Sequence, residues 1–139
     1  MEKAFRSVRL FGKEVELPVF ANAKQFINLS DDEIIKLYPH AEHIVYRGGL
    51  HIEIRFSNYT LVCLTDEYGK CRLCMIFFDT DDCINVYLNL CKQKYFISGC
   101  QWLYKSMVID YYQGADEMNP SFFTVTEFRF RHMNLSMLN

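Results

Sequence analysis

The sequence predicts an α+β fold: a mainly antiparallel meander sheet packed against one long amphipathic helix, with two short helices in the N-terminal half. Three observations carry that expectation. Residues from Leu50 onward alternate with period 2, two capping-box signatures precede them, and a 3.6-residue apolar stripe lies between Ser98 and Gly114. The opening RSVRLFGKEVELPVF reads as a hairpin. Val8 and Leu10, then Val15, Leu17 and Val19, alternate with polar residues around a Gly12-Lys13 turn, and Pro18 marks the second arm as an edge strand or its end. Asn22-x-x-Gln25 and Ser30-x-x-Glu33 each offer a side-chain acceptor at N-cap and a returning Gln or Glu at N3. Asp31 and Asp32 suit the positive end of the second helix, and Pro39 stops it.

LHIEIRF places Leu50, Ile52, Ile54 and Phe56 on one face and His51, Glu53 and Arg55 on the other. Ser57-Asn58 turns the chain into YTLVCLT, apolar on both faces as a central strand should be. Tyr68-Gly69 turns it again into CRLCMIFF. Residues 50–78 are therefore expected to form three consecutive antiparallel strands with Tyr59–Thr65 in the middle. CINVYLNLC fits two periods. Ile84, Val86, Leu88 and Leu90 suit a strand, whereas Ile84, Tyr87, Leu88 and Cys91 suit a helix; the regular spacing of turns favours the strand. Cys100, Leu103, Tyr104, Met107, Val108 and Tyr111 form the stripe of the long helix, about four turns between a Ser98-x-x-Gln101 box and Gly114. SFFTVTEFRFRHM then returns to period 2, with Phe122, Thr124, Thr126, Phe128 and Phe130 on one face and Glu127, Arg129 and Arg131 on the other.

Nothing divides the chain, so residues 1–139 are read as one globular domain. Half of the residues are hydrophobic, which excludes a disordered or low-complexity chain. A net charge of −2 gives no reason to expect nucleic acid, and no apolar run reaches the roughly 18 residues that span a bilayer, so no membrane association is expected. The N-terminus lacks an apolar h-region. Together with six cysteines in no framework-like spacing, this reads as a cytoplasmic protein whose thiols are all reduced.

Chemistry-bearing motifs are sparse. Cys71-x-x-Cys74 lacks two further ligands at zinc spacing, and on a regular strand residues i and i+3 face opposite ways, so the two thiols should diverge. Asp79-x-Asp81-Asp82 begins like a calcium loop, but Ile84 and Leu90 occupy the positions that need Gly and Glu. His40-x-x-His43, His51 and His132 read as surface or rim residues. Nucleotide-binding, zinc-protease and nucleophile-elbow motifs are all missing. In Phe128-Arg129-Phe130-Arg131 the period sends the aromatics one way and the arginines the other, unlike a nucleic-acid stacking platform. No cofactor and no metal are expected, and no catalytic residue can be named.

One feature asks for a partner. Trp102 and Ile109 lie nearly opposite the stripe of the expected long helix and need cover from the protein itself, a partner, or a second copy of the chain, with an interface preferred. Acidic turns at Asp66-Glu67, Asp79–Asp82 and Asp116-Glu117 suit a cationic partner. The expected function is accordingly a non-catalytic macromolecule-binding protein, such as an inhibitor or immunity-type protein occluding a basic partner. The alternative is a small-molecule-binding or enzymatic α+β domain with an aromatic-lined pocket.

Overall fold

The structure is a computed structural model that describes residues 18–46, 49–94, 96–98, 101–104 and 106–127. Helix α1 (Pro18–Phe26) starts on a proline, whose fixed φ and missing N–H cost nothing at a first helical position. It buries Val19, Phe20, Ala23 and Phe26. Val19 is therefore helical, contrary to its assignment to the second arm of a hairpin; the rest of that hairpin lies outside the described residues. The first capping box is also corrected. Asn22 and Gln25 do hydrogen-bond to each other, but within α1 rather than at its start.

The second box is in place on α2 (Asp31–Leu37). The Glu33 N–H donates to Ser30 Oγ at 3.2 Å and the Ser30 N–H to Glu33 Oε1 at 2.8 Å. The helix ends two residues before Pro39, as the restriction on pre-proline residues requires.

Strands β1 (Glu42–Tyr46), β2 (Gly49–Arg55), β3 (Tyr59–Thr65) and β4 (Cys71–Phe78) form an antiparallel meander. β2 to β4 are the three expected strands, with β3 central; β1 carried no recognised signal. The turn into β4 is built from Asp66, whose carboxylate accepts from the backbone N–H groups of Tyr68 and Lys70, and from Gly69 at φ +76°, where a side chain would be strained.

Helix α3 (Asp81–Lys94) replaces the strand expected over 83–91. Thr80 caps it, its Oγ1 accepting from the Cys83 N–H at 3.3 Å, and Asp81 and Asp82 sit at the positive end of its dipole. Ile84, Tyr87 and Cys91 are buried, so the helical period won and the alternation of Val86 and Leu90 was incidental.

The long helix expected over 99–113 is absent from the described residues there. Its place is taken by β6 (Gln101–Tyr104) and β7 (Met107–Tyr112), preceded by β5 (Phe96–Ser98) and followed by β8 (Phe122–Glu127). Trp102 pairs with Ile109 across β6 and β7, and β7 pairs along its whole length with β8. Every apolar residue of the supposed stripe also fits a strand, and the interstrand ladder satisfies the same backbone groups without a helix.

The eight strands make one antiparallel sheet in the order β1-β2-β3-β4-β8-β7-β6-β5. Two four-strand meanders, each preceded by helix, thus meet at β4 and β8. The helices lie on one face, where α1 contacts β4 and β8 and α3 contacts β4 and β5. The core between them includes Phe20, Phe26, Ile34, Ile52, Leu61, Ile76, Trp102, Ile109, Phe123 and Val125. The core-facing residues of β8 are therefore Phe123 and Val125, not the expected Phe122 face, although Thr124 and Thr126 are buried as well. On the opposite face Val62, Leu64 and Leu73 form a smaller buried cluster against Met75 and Phe77.

An unbroken series of ring contacts threads the core, from Phe26 through Tyr38, Phe56, Tyr59, Phe78, Tyr87, Phe20 and Phe123 to Tyr111. Its centroid separations run from 5.0 to 5.9 Å. Such tilted and stacked pairs add about 0.5–1.5 kcal/mol each beyond their burial. No described helix is long and apolar enough to cross a membrane.

Candidate functional site: an acidic cleft and a buried thiol cluster

Two of the three acidic turns converge. The β4–α3 junction and the β7–β8 loop line one open cleft of about 440 Å³, walled by Asp79, Asp81, Asp116 and Glu117 and floored by Phe78, Ile84 and Pro120. Among the described residues no Lys, Arg or His lines it. Asp82 lies beside it, exposed, in the first turn of α3.

Two of these carboxylates are held by local chemistry. Asp79 receives a two-pronged hydrogen bond from Arg55, with Nη1 donating to Oδ1 at 2.6 Å and Nη2 to Oδ2. This holds the Asp79 carboxyl below its ordinary range and offsets its charge locally. Asp116 shapes its own loop by accepting from the N–H groups of Met118 and Asn119, both at 3.0 Å. Gly114 is required behind it, because a Cβ there would lie 2.2 Å from the Asn119 carbonyl oxygen. That loop presents Met118, which is 88 % exposed, immediately after Glu117.

The third acidic turn sits at the far end of β3 and β4, and its acid has another task. Asp66 Oδ2 accepts from Arg72 Nε at 2.8 Å, with both side chains about one-fifth exposed. Partial burial acts to raise the Asp66 carboxyl. It is outweighed by the hydrogen bonds from Arg72 and from the Lys70 and Tyr68 N–H groups, so the group ends below its ordinary range. Asp66 is thus a turn-building residue, and Glu67 beside it is exposed.

Trp102 and Ile109 do form one patch, but not the expected one. Both are fully buried in the chain's own core as cross-strand partners, so neither is available as a surface anchor. Placing them on a helix put them opposite the core; placing them on strands puts them in it. The Trp102 indole N–H is buried with no hydrogen-bond partner among the described residues.

The sequence reading missed a second constellation. Cys71 and Cys74 do not diverge. The register slips between Leu64 and Thr65, so that Leu64 pairs with Leu73 but Thr65 with Cys71, and Arg72 becomes the extra residue of a bulge. Cys71 and Cys74 therefore share the core face with their sulfurs 3.8 Å apart, and Cys63 stands directly opposite Cys74 on β3. The three Sγ atoms all lie within 4.8 Å of one another, wholly buried.

Arg72 fixes this bulge through Asp66 and Asn28. The backbone of Asn28 and Leu29 clamps Cys71, with N–H···O distances of 2.7 and 2.8 Å. Burial pushes the Cys74 thiol up, whereas the neighbouring Cys63 and Cys74 thiols pull Cys71 down. Cys91, buried away from the cluster, is pushed up to about 12 by burial. No pair of described cysteines is bonded, and Cys100 lies outside the described residues. Only the CxxC spacing hinted at this cluster, and nothing in it announces a bulge.

A further groove, of about 550 Å³, runs between the α2–β1 connection and β2, lined in part by Tyr38, Glu42, Glu53, Arg55 and Thr60. Tyr38 is the one Phe, Tyr or Trp among the described residues that line it, and it also packs against the core. Comparison with family models, with curated proteins and with solved structures finds no match to this chain.

Proposed function

We propose that this chain is a binding protein without catalytic chemistry that engages a basic protein partner through the acidic cleft, in the manner of an inhibitor or immunity-type protein. The convergence of the β4–α3 junction and the β7–β8 loop on one cleft carries this reading. Its walls hold four carboxylates and, among the described residues, no basic side chain; of the four, Asp79 is matched by Arg55. The apolar floor of Phe78, Ile84 and Pro120 and the exposed Met118 at its rim supply the desolvated contacts that a charged surface alone lacks. A ring of like charge steers a cationic partner and rejects acidic ones, and this attraction weakens with salt across a Debye length of about 8–10 Å. The cytoplasm is the compartment proposed, because reduced thiols suit it.

The test is capture from the native host with the wild type, with a double charge reversal Asp81→Lys/Glu117→Lys, and with Glu67→Lys at the other end of the sheet. Wild type and Glu67→Lys should retain the same basic protein, with retention falling as salt rises. The double reversal should lose it while keeping the wild-type circular dichroism spectrum. Equal retention by all three proteins, or an acidic partner, would refute the reading.

A further inference from the structure

We infer that Cys63, Cys71 and Cys74 form a binding site for a single thiophilic metal cation, built into the core between β3, β4 and α1. The site is independent of the acidic cleft. Its first support is geometric. Metal–sulfur bonds of about 2.3 Å place sulfurs roughly 3.8–4.0 Å apart around one ion. The Cys71–Cys74 separation is already 3.8 Å, and no pair exceeds 4.8 Å, so the third sulfur closes on a common centre by a side-chain adjustment.

The second support is the backbone. A regular β4 would send Cys71 to the opposite face; the bulge at Arg72 brings it round, and the ion pair with Asp66 and the Asn28–Leu29 clamp hold it there. At position 71, turned onto this face by the bulge, cysteine supplies a sulfur donor that an apolar side chain would not.

The donor set selects the class of ion. Three sulfurs converge with no imidazole or carboxylate among the described residues, which suits a soft d10 cation and disfavours calcium, magnesium or manganese. Cu⁺ accepts a three-coordinate sulfur set as it stands. Zn²⁺ leaves less uncompensated charge in the core but wants a fourth donor, for which the Ala23 carbonyl, 3.6 Å from Cys74 Sγ, is the neighbouring candidate. Binding transfers no electrons: each thiol that becomes a ligand releases its proton to solvent. Because the three side chains are wholly enclosed, the ion enters as the chain folds, and its binding energy becomes folding energy.

The experiment refolds the reduced chain anaerobically with Cu⁺, with Zn²⁺, or with neither, removes loose metal by desalting, and measures metal per chain and the unfolding midpoint. One tightly held ion per chain and a raised midpoint are expected. Cys63→Ala, Cys71→Ala and Cys74→Ala should each lose the ion, whereas Cys91→Ala should keep it. Retention of Cu⁺ assigns a three-coordinate centre, and retention of Zn²⁺ by the same three residues assigns the site to zinc. Wild type that holds neither ion and unfolds identically in all three preparations overturns the proposal, whatever the variants do. Metal uptake undiminished in the three variants, or a Cys71–Cys74 disulfide in protein purified without oxidant, overturns it equally.

Discussion

The two halves of the sheet are built alike and read differently. Each is helix followed by a four-strand meander, yet β2 to β4 were legible in the sequence and β5 to β7 were not. In β2 of the first meander the polar residues sit on one face. His51, Glu53 and Arg55 alternate with Ile52 and Ile54, and the turns carry Asn58 and a Gly69 at positive φ. In the second, Leu103, Met107, Val108 and Tyr111 satisfy the helical and the strand period at once, and Tyr104 pairs with Met107 across a connection with no glycine to announce it. Local pattern specifies a strand where one face is wet. Where the apolar residues fit both periods and no turn signal bounds them, the partner strand decides.

The largest effect expected is at the centre of the legible half. Val62 is buried on the face opposite the helices, against Leu64 and Leu73, so Val62→Asp leaves a carboxylate without a partner inside the sheet. It should abolish the cooperative unfolding transition seen by circular dichroism, and a folded, equally stable variant would break the account of β3. In the less legible half, Trp102→Ala should cost about 3–5 kcal/mol in chemical denaturation, as a large-to-small core change does. Trp102→Phe should cost less, because it also removes a buried N–H with no partner among the described residues. A nearly neutral Trp102→Ala would restore the interface reading.

A smaller effect probes the bulge that separates β4 from a regular strand. Asp66→Asn should lose about 1–3 kcal/mol at neutral pH, the range for hydrogen bonds to charged groups. The folded-state carboxyl is held below its unfolded value of about 3.9, so its stabilisation is complete above that pH and fades as the pH falls through the lower folded value. Wild type and variant should therefore converge in stability below about pH 4, and a constant difference across that range would remove the ion pair from the explanation. The smallest effects compare two caps. Ser30→Ala and Thr80→Ala should each cost about 1 kcal/mol, the first at a cap recognised in the sequence and the second at one overlooked.

The candidate site divides along the same line. Acidic turns are visible in any sequence, but their meeting is not: Asp79 and Asp116 share a cleft only because β8 returns beside β4. The Cys71-x-x-Cys74 spacing is visible too, and the regular-strand geometry applied to it pointed the wrong way, because one inserted residue reverses the facing of every side chain beyond it.

By itself the sequence determined what short-range physics controls. It specified the α+β class, the capping box on α2, the stop before Pro39, the order of β2 to β4 and the facing of β2. Each depends on backbone groups and side chains within a few residues of one another. Tertiary structure decided what depends on long-range pairing. It chose helix for 81–94 and strands for 101–112, drew Trp102 into the core, brought the two acidic turns together and gathered three thiols around one point. For 81–94 and for 101–104 and 107–112 two local arrangements satisfied the chain's own periodicity about equally, and burial against a distant segment separated them.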